Sequence, residues 1–127
     1  MKLLNDFFFI EETTACDGAI HCRLRINPQH VIYRAHFPGN PVTPGVCIVR
    51  MVTELLEACC GGHPELVRMV NVKFLHVLDP TRQSHVQMLI HRTELPDAGC
   101  RVKATLQDDT QPYAQLSMIY ADAPEAR

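Results

Sequence analysis

The chain has 127 residues, 46% of them hydrophobic and 20% charged, with a formal net charge of −2. That is enough for one domain, spanning 1–127, with a sizeable core, and the composition is not that of a disordered chain. The near-neutral balance gives no global nucleic-acid or membrane footprint, and no apolar run approaches the roughly 18 residues that span a bilayer.

Asp6 comes too early for a signal peptide, so the expected location is the cytoplasm. In that compartment the six cysteines, which include no C-x-x-C pair, read as reduced thiols, several of them filling the core. Cys59, Cys60 and His63 lack a second ligand pair, so no metal is expected, and nothing in the sequence asks for a cofactor.

In chain order, Asp6 to Cys16 starts with the run Phe7-Phe8-Phe9-Ile10 and reads as a strand. Asp17-Gly18 is a hairpin turn, because both residue types tolerate positive φ. Ala19 to Ile26 returns as a second strand, with Ile20, Cys22, Leu24 and Ile26 on one face. Asn27-Pro28 ends it, and His30 to Ala35 leads into a loop. From Val46 to Cys60 there is no proline or glycine, and an apolar stripe through Val49, Val52, Leu55, Leu56 and Cys59 predicts a helix of about four turns.

Arg50, Glu54 and Glu57 form a polar seam on that helix, and Gly61-Gly62 stops it in a left-handed cap. Four further strands are expected over Leu66–Leu78, Ser84–Glu94, Gly99–Asp108 and Gln111–Tyr120, with a frayed tail from Ala121. Two strands, one long apolar helix and four strands make an α+β protein. With a single helix to cover it, an antiparallel sheet is best satisfied by wrapping around that helix.

The loop before the helix is the informative stretch. His36-Phe37-Pro38-Gly39-Asn40-Pro41-Val42-Thr43-Pro44-Gly45-Val46 holds three prolines and two glycines in eleven residues, a stiff segment that delivers the chain to a helix N-terminus. The first N–H groups of a helix have no intrahelical partner and carry the positive end of its dipole. An imidazole held nearby on a rigid loop suits chemistry beside a polarised carbonyl, with a base at one point and an oxyanion site at another.

The string resembles the signature of the 3-hydroxyacyl-[acyl-carrier-protein] dehydratases of the hot-dog fold. The likeness is strong over residues 30–60 and diffuse over 66–120. It implies a hot-dog fold, with His36 as catalytic base and the Gly45 amide, beside that of Val46, binding the thioester oxygen. Phe37, Pro44, Val46 and Arg50 are then the residues expected to border the substrate, whose acyl chain would lie in an apolar tunnel beside the helix. The family pattern places a glutamate where this chain has Arg50, and an arginine, with a pKa above 12, cannot donate the proton in its place. Glu54, one turn on, either substitutes for the missing carboxylate as the acid or neutralises Arg50.

Three functions follow from these residues. The first is a dehydratase acting on acyl thioesters of acyl-carrier protein or coenzyme A in fatty-acid-type biosynthesis. The second is an impaired dehydratase-like subunit that binds an acyl carrier or completes a partner's site. The third is a hot-dog thioesterase, against which stands the lack of any Asp or Glu between His36 and Thr53. The resemblance also implies a homodimer with a continuous sheet, or a heterodimer with a glutamate-bearing homologue. Neither nucleic acid nor membrane is expected as a partner.

Overall fold

The computed structural model describes residues 2–35, 39–97 and 99–122. Six strands and two helices follow one another as β1 (Phe8–Cys16), β2 (Ala19–Ile26), α1 (Val31–Ala35), α2 (Gly45–Cys60), β3 (Pro64–Phe74), β4 (His85–Glu94), β5 (Cys100–Gln107) and β6 (Pro112–Asp122). The strands form one antiparallel sheet in the order β1-β2-β4-β5-β6-β3. The chain therefore leaves the sheet after β2, runs through both helices, and re-enters at the far edge as β3.

Alternation makes the strands what they are. In β2 the positions Ile20, Cys22, Leu24 and Ile26 are buried while every intervening residue is exposed. Asp17 and Gly18 take φ of 48° and 80°, the two positive values that a tight hairpin needs. Gly18 has a second reason to lack a side chain, since a Cβ there would lie 2.9 Å from the Arg92 carbonyl.

Helix α2 lies in the core. Seven apolar residues between Cys47 and Leu56 are buried, among them Met51, Val52 and Leu55 at 0% exposure. They share one hydrophobic cluster with the inward residues of β2, β4, β5 and β6, such as Leu24, Met88, Val102 and Met118. Each side chain of that size taken out of water contributes about 1.5–3 kcal/mol, so the sheet and the helix hold each other in place. The helix ends at Gly61, whose φ of 77° is positive as expected but whose ψ of −168° is not that of a left-handed cap; its N–H donates to Glu57 O.

The structure departs from the sequence expectation at several places. The N-terminal stretch is a turn before it is a strand: the Leu3 carbonyl accepts from the N–H groups of Asp6, Phe7 and Phe8, with Asn5 at φ 71°. Val31–Ala35, expected only to lead into the motif loop, is a short helix. The tail is not frayed at its start, because Ala121 and Asp122 pair with Glu65 and Pro64; residues 123–127 lie outside the described residues. Strand β3 begins two residues and ends four residues earlier than expected, running Pro64–Phe74.

Strand β3 is also where the wrap runs out. Its inward positions Leu66, Met69, Val72 and Phe74 lie opposite the buried residues Tyr120, Met118, Leu116 and Ala114 of β6. Yet Met69 and Phe74 remain 54% and 53% exposed. Val67 and Val70, at 62% and 39%, fall at the two register shifts of the strand.

Candidate functional site

The N-terminus of α2 is open. Pro44 occupies the cap position at φ −65°, ψ 143°, and among the described residues no side chain bonds the cap. The Pro44 carbonyl accepts from the Cys47 and Ile48 N–H groups at 3.0 and 3.2 Å, which places Gly45 and Val46 ahead of the first recorded intrahelical bonds. Val46 is 73% exposed. Gly45 sits against an aromatic ring: a Cβ there would lie 2.6 Å from Cζ of Phe74. A groove runs past this helix entry, walled by Val42 to Gly45 and Ile48 on one side and by Phe74 to Leu78 on the other.

His36, Phe37 and Pro38 lie outside the described residues, so the expected base is not placed. Its flanks are. Before it, Tyr33 of α1 is buried, stacks on Phe7 at 5.3 Å, and donates its hydroxyl to Thr43 Oγ1 at 2.8 Å. After it, Thr43 is buried and donates both its N–H and its hydroxyl to the Leu78 carbonyl, each at 2.9 Å. Burial pushes the Tyr33 phenol well above its ordinary value and keeps it a neutral donor. Tyr33 and Thr43 thus tie both ends of the motif loop to β3's exit. Sequence reading missed both, although a lone threonine between two prolines is a visible signal for a side chain that must satisfy backbone.

Glu54 is the most constrained polar group of the site. It is 2% exposed, and its carboxylate accepts from the Leu3 N–H on both oxygens, at 2.9 and 2.8 Å, and from the Leu4 N–H at 2.6 Å. Arg50 Nε donates to Oε2 at 2.9 Å. Arg50 itself is 43% exposed, so it is held at Nε while much of its guanidinium faces solvent. The structure therefore brings Arg50 and Glu54 together as the i,i+4 pair expected. Glu57, the third member of the polar seam, reaches Lys2 at 3.7 Å. The N-terminal segment is thus clamped along the seam. A further link crosses to β6, where Tyr120 OH and Thr53 Oγ1 are 2.8 Å apart.

The other histidines fall on strand faces or loops, with one distinction. His30 is nearly covered, bonds Asp6 at 3.0 Å and accepts the Ile32 N–H on Nδ1, and so caps α1. All six cysteines are free thiols, and Cys22, Cys47 and Cys100 are buried in the core; burial pushes Cys22 up to about 12. Among the described residues no cluster of three His, Cys, Asp or Glu could hold a metal ion, and no helix is long and apolar enough to cross a membrane.

Comparison with known proteins decides the family. A model of ApeI-like proteins, described as ApeI dehydratase, matches residues 11–115. The chain belongs to the ApeI-like dehydratase family. It is also 27% identical over 113 residues to a 3-hydroxyacyl-[acyl-carrier-protein] dehydratase FabZ of Lactobacillus helveticus, covering 82% of this chain and 75% of that protein. A FabZ of Levilactobacillus brevis is 26% identical over 116 residues, covering 84% and 77%.

Among solved structures, a chain of the dehydratase heterocomplex ApeI:P of Xenorhabdus doucetiae superposes with a TM-score of 0.67 at 18% identity, over 88% of this chain and 96% of that one. A conserved protein of Pseudomonas aeruginosa gives 0.60 at 13% identity, over 88% and 87%. The fold is that of the hot-dog dehydratases, a six-stranded antiparallel sheet packed on a central helix.

Proposed function

We propose that this ApeI-like protein is the histidine-bearing half of a 3-hydroxyacyl-thioester dehydratase, a hydro-lyase of fatty-acid-type biosynthesis in the cytoplasm. His36 removes a proton from C2 of the substrate. The negative charge that develops on the thioester oxygen is taken up by the Gly45 and Val46 N–H groups at the positive end of α2. The C3 hydroxyl then leaves as water, which needs a proton from an acid, and the product is the 2-enoyl thioester. The open cap and the groove beside it support the oxyanion role, since they leave space for a carbonyl at the helix entry.

The observation that carries the reading concerns the acid. Glu54 is the first carboxylate after the loop, and it is occupied by two backbone N–H groups and Arg50. Taking Glu54 as the acid would strip those donors of their acceptor, so we place it instead as the group that holds Arg50 and the N-terminal segment. The acid is then a carboxylate of a second, homologous chain. The half-exposed Met69 and Phe74 on the inner face of edge strand β3 suit such a chain, because an uncovered apolar edge calls for a partner. Arg50 faces the shared site and steadies anionic parts of the substrate.

The test mixes the protein with a glutamate-bearing dehydratase homologue whose own motif histidine has been changed to alanine. Turnover of a 3-hydroxybutyryl thioester should appear only in the mixture, and His36→Ala in this chain should lower it by ~10²-fold or more, the usual worth of a general base. Confirmed co-assembly without turnover overturns the split site. Full turnover by this chain alone does the same, and returns Glu54 to the role of acid.

A further inference from the structure

At the end of the sheet next to the last turn of α2, a cation stands in the apolar phase of a strand. The inward positions of β4 run Val86, Met88, Ile90 and then Arg92, the first three buried and the arginine half-buried. Arg92 lies opposite Val102, and Cys100, which lies opposite Glu94, is its diagonal neighbour on the same face. Cys60, the last residue of α2, closes the corner. Cys60, Arg92 and Cys100 line one small pocket with Leu56, Gly99 and Tyr120, about 30 Å3 in volume, room for one or two molecules the size of water.

The Arg92 guanidinium is a hydrogen-bonding neighbour of both thiols. Its Nε is buried and, among the described residues, has no hydrogen-bond partner; Glu94 Oε1, at 2.9 Å, pairs with it by charge alone. Packing accounts for Cys100 as a small buried hydrophobe. It does not account for an arginine turned inward between two thiols with a donor left over, an arrangement that costs stability unless something uses it.

The two thiols differ in what can reach them. Cys60 is exposed, whereas Cys100 is 6% exposed and burial pushes its thiol up. One therefore meets an oxidant from solvent while the other is kept in reserve behind it. Cys60 ends α2 and Cys100 begins β5, and element ends are where the backbone gives most easily to close a bond. Cys22 and Cys59 are neighbours too, but Cys22 is at 0% exposure and burial pushes it up to about 12.

We propose that Cys60 and Cys100 are a peroxide-responsive thiol pair, with Arg92 as the group that receives the oxidant. Cys60 gives up its proton and its sulfur attacks one oxygen of hydrogen peroxide. The S–O bond forms as the O–O bond breaks, and the hydroxide leaves past the guanidinium, taking up the proton as water. The resulting sulfenic acid is attacked by the Cys100 sulfur, which forms the S–S bond and expels the second hydroxide, again as water with the Cys100 proton. Two thiols are oxidised to one disulfide and one peroxide is reduced to two waters. The bond ties the end of α2 to β5, protects Cys60 from irreversible oxidation, and is undone by a cellular dithiol reductant.

The reduced protein is treated with hydrogen peroxide at neutral pH, and disulfides are located by peptide mass mapping. A single Cys60–Cys100 link within one chain is expected, with two of the six free thiols lost. Cys100→Ala should leave Cys60 as a sulfenic acid that dimedone captures, and Cys60→Ser should abolish the link. Arg92→Gln should slow loss of the Cys60 thiol by ~10-fold and leave Cys16, also exposed, unchanged; Arg92→Lys, which keeps the charge, should slow it less. Melting curves identify the folded variants, and Cys60→Ser, at an exposed position, gives the test a variant that leaves the core intact.

A first link between Cys22 and Cys59, links only between chains, or Cys60 oxidised no faster than Cys16 overturns the pair. A rate within twofold of the wild type in Arg92→Gln removes the arginine and with it the receiving site. No step of the test involves turnover, so the thiol pair stands or falls apart from the dehydratase reading.

Discussion

Replacing Glu54 by glutamine is the sharpest perturbation of the candidate site. The change keeps the volume and one acceptor oxygen but exchanges the other for an NH2 group. In the structure the two oxygens accept from the Leu3 and Leu4 N–H groups and from Arg50, in surroundings where Glu54 is 2% exposed. A hydrogen bond to a charged group contributes about 1.5–3 kcal/mol, and a buried donor left without an acceptor costs about 1–3 kcal/mol. The half-exposed Arg50 adds at most about 0.5 kcal/mol, because solvent screens it. Glutamine can still serve one N–H, so the loss should be about 2–4 kcal/mol.

For a chain of this length that is a fall in melting temperature of roughly 8–20 °C. Calorimetry and urea titration measure it. A second arm removes residues 1–4 in both backgrounds. If Glu54 acts by holding that segment, the truncation should cost at least ~1 kcal/mol less in the glutamine variant, the non-additivity expected of groups in contact. A shift below ~3 °C, or strictly additive losses, would refute the clamp. A glutamine variant as stable as the parent but inactive in the mixed-chain assay would make Glu54 the acid.

Two further outcomes follow from single contacts. Gly45→Ala sets a methyl 2.6 Å from the Phe74 ring and should destabilise by about 1–3 kcal/mol, an overpacking cost that Phe74→Leu in the same chain should largely relieve; a neutral Gly45→Ala would mean the ring moves freely. Asp108 accepts from the Tyr113 hydroxyl and from the N–H groups of Thr110 and Gln111, and these bonds hold its carboxyl well below its ordinary value of 3.8. A depressed folded value means stability present above about pH 4 and lost as pH falls further. Asp108→Asn should flatten that acid limb by about 1 kcal/mol or less, since solvent screens a carboxyl at the surface. Equal acid limbs in the two proteins would remove Asp108 from the account.

Much of the frame is legible in the residues because periodicity reports burial directly. β2 alternates without a break, Asp17-Gly18 turns it, and the helix expected from Val46 begins at Gly45. What escapes is whatever depends on a distant backbone. Glu54 looks like one member of an exposed charge seam, yet its partners are N–H groups 50 and 51 residues away. No side-chain pattern encodes a backbone donor. Helix α1 is five residues long, too short for a period to register. The shifts in β3 put Val67 and Val70 out of phase with the inward set, which blurs the alternation there.

The loop motif's resemblance implies an active site, and the proposed kind of site turns on Arg50 and Glu54. A buried carboxylate is costly unless its charge is met, and here two backbone N–H groups and a guanidinium meet it. The pair is mutually sustaining: a glutamate in place of Arg50 would set a second negative charge one turn from a buried first. The arginine therefore fits this chain's own packing and is more than an absent catalytic group. In this helix the first carboxylate, Glu54, is already met by its partners, while no side chain among the described residues caps the N-terminus and the inner face of edge strand β3 is half bare. On the proposed split site, the acid is the part that a homologous subunit seated along β3 would bring.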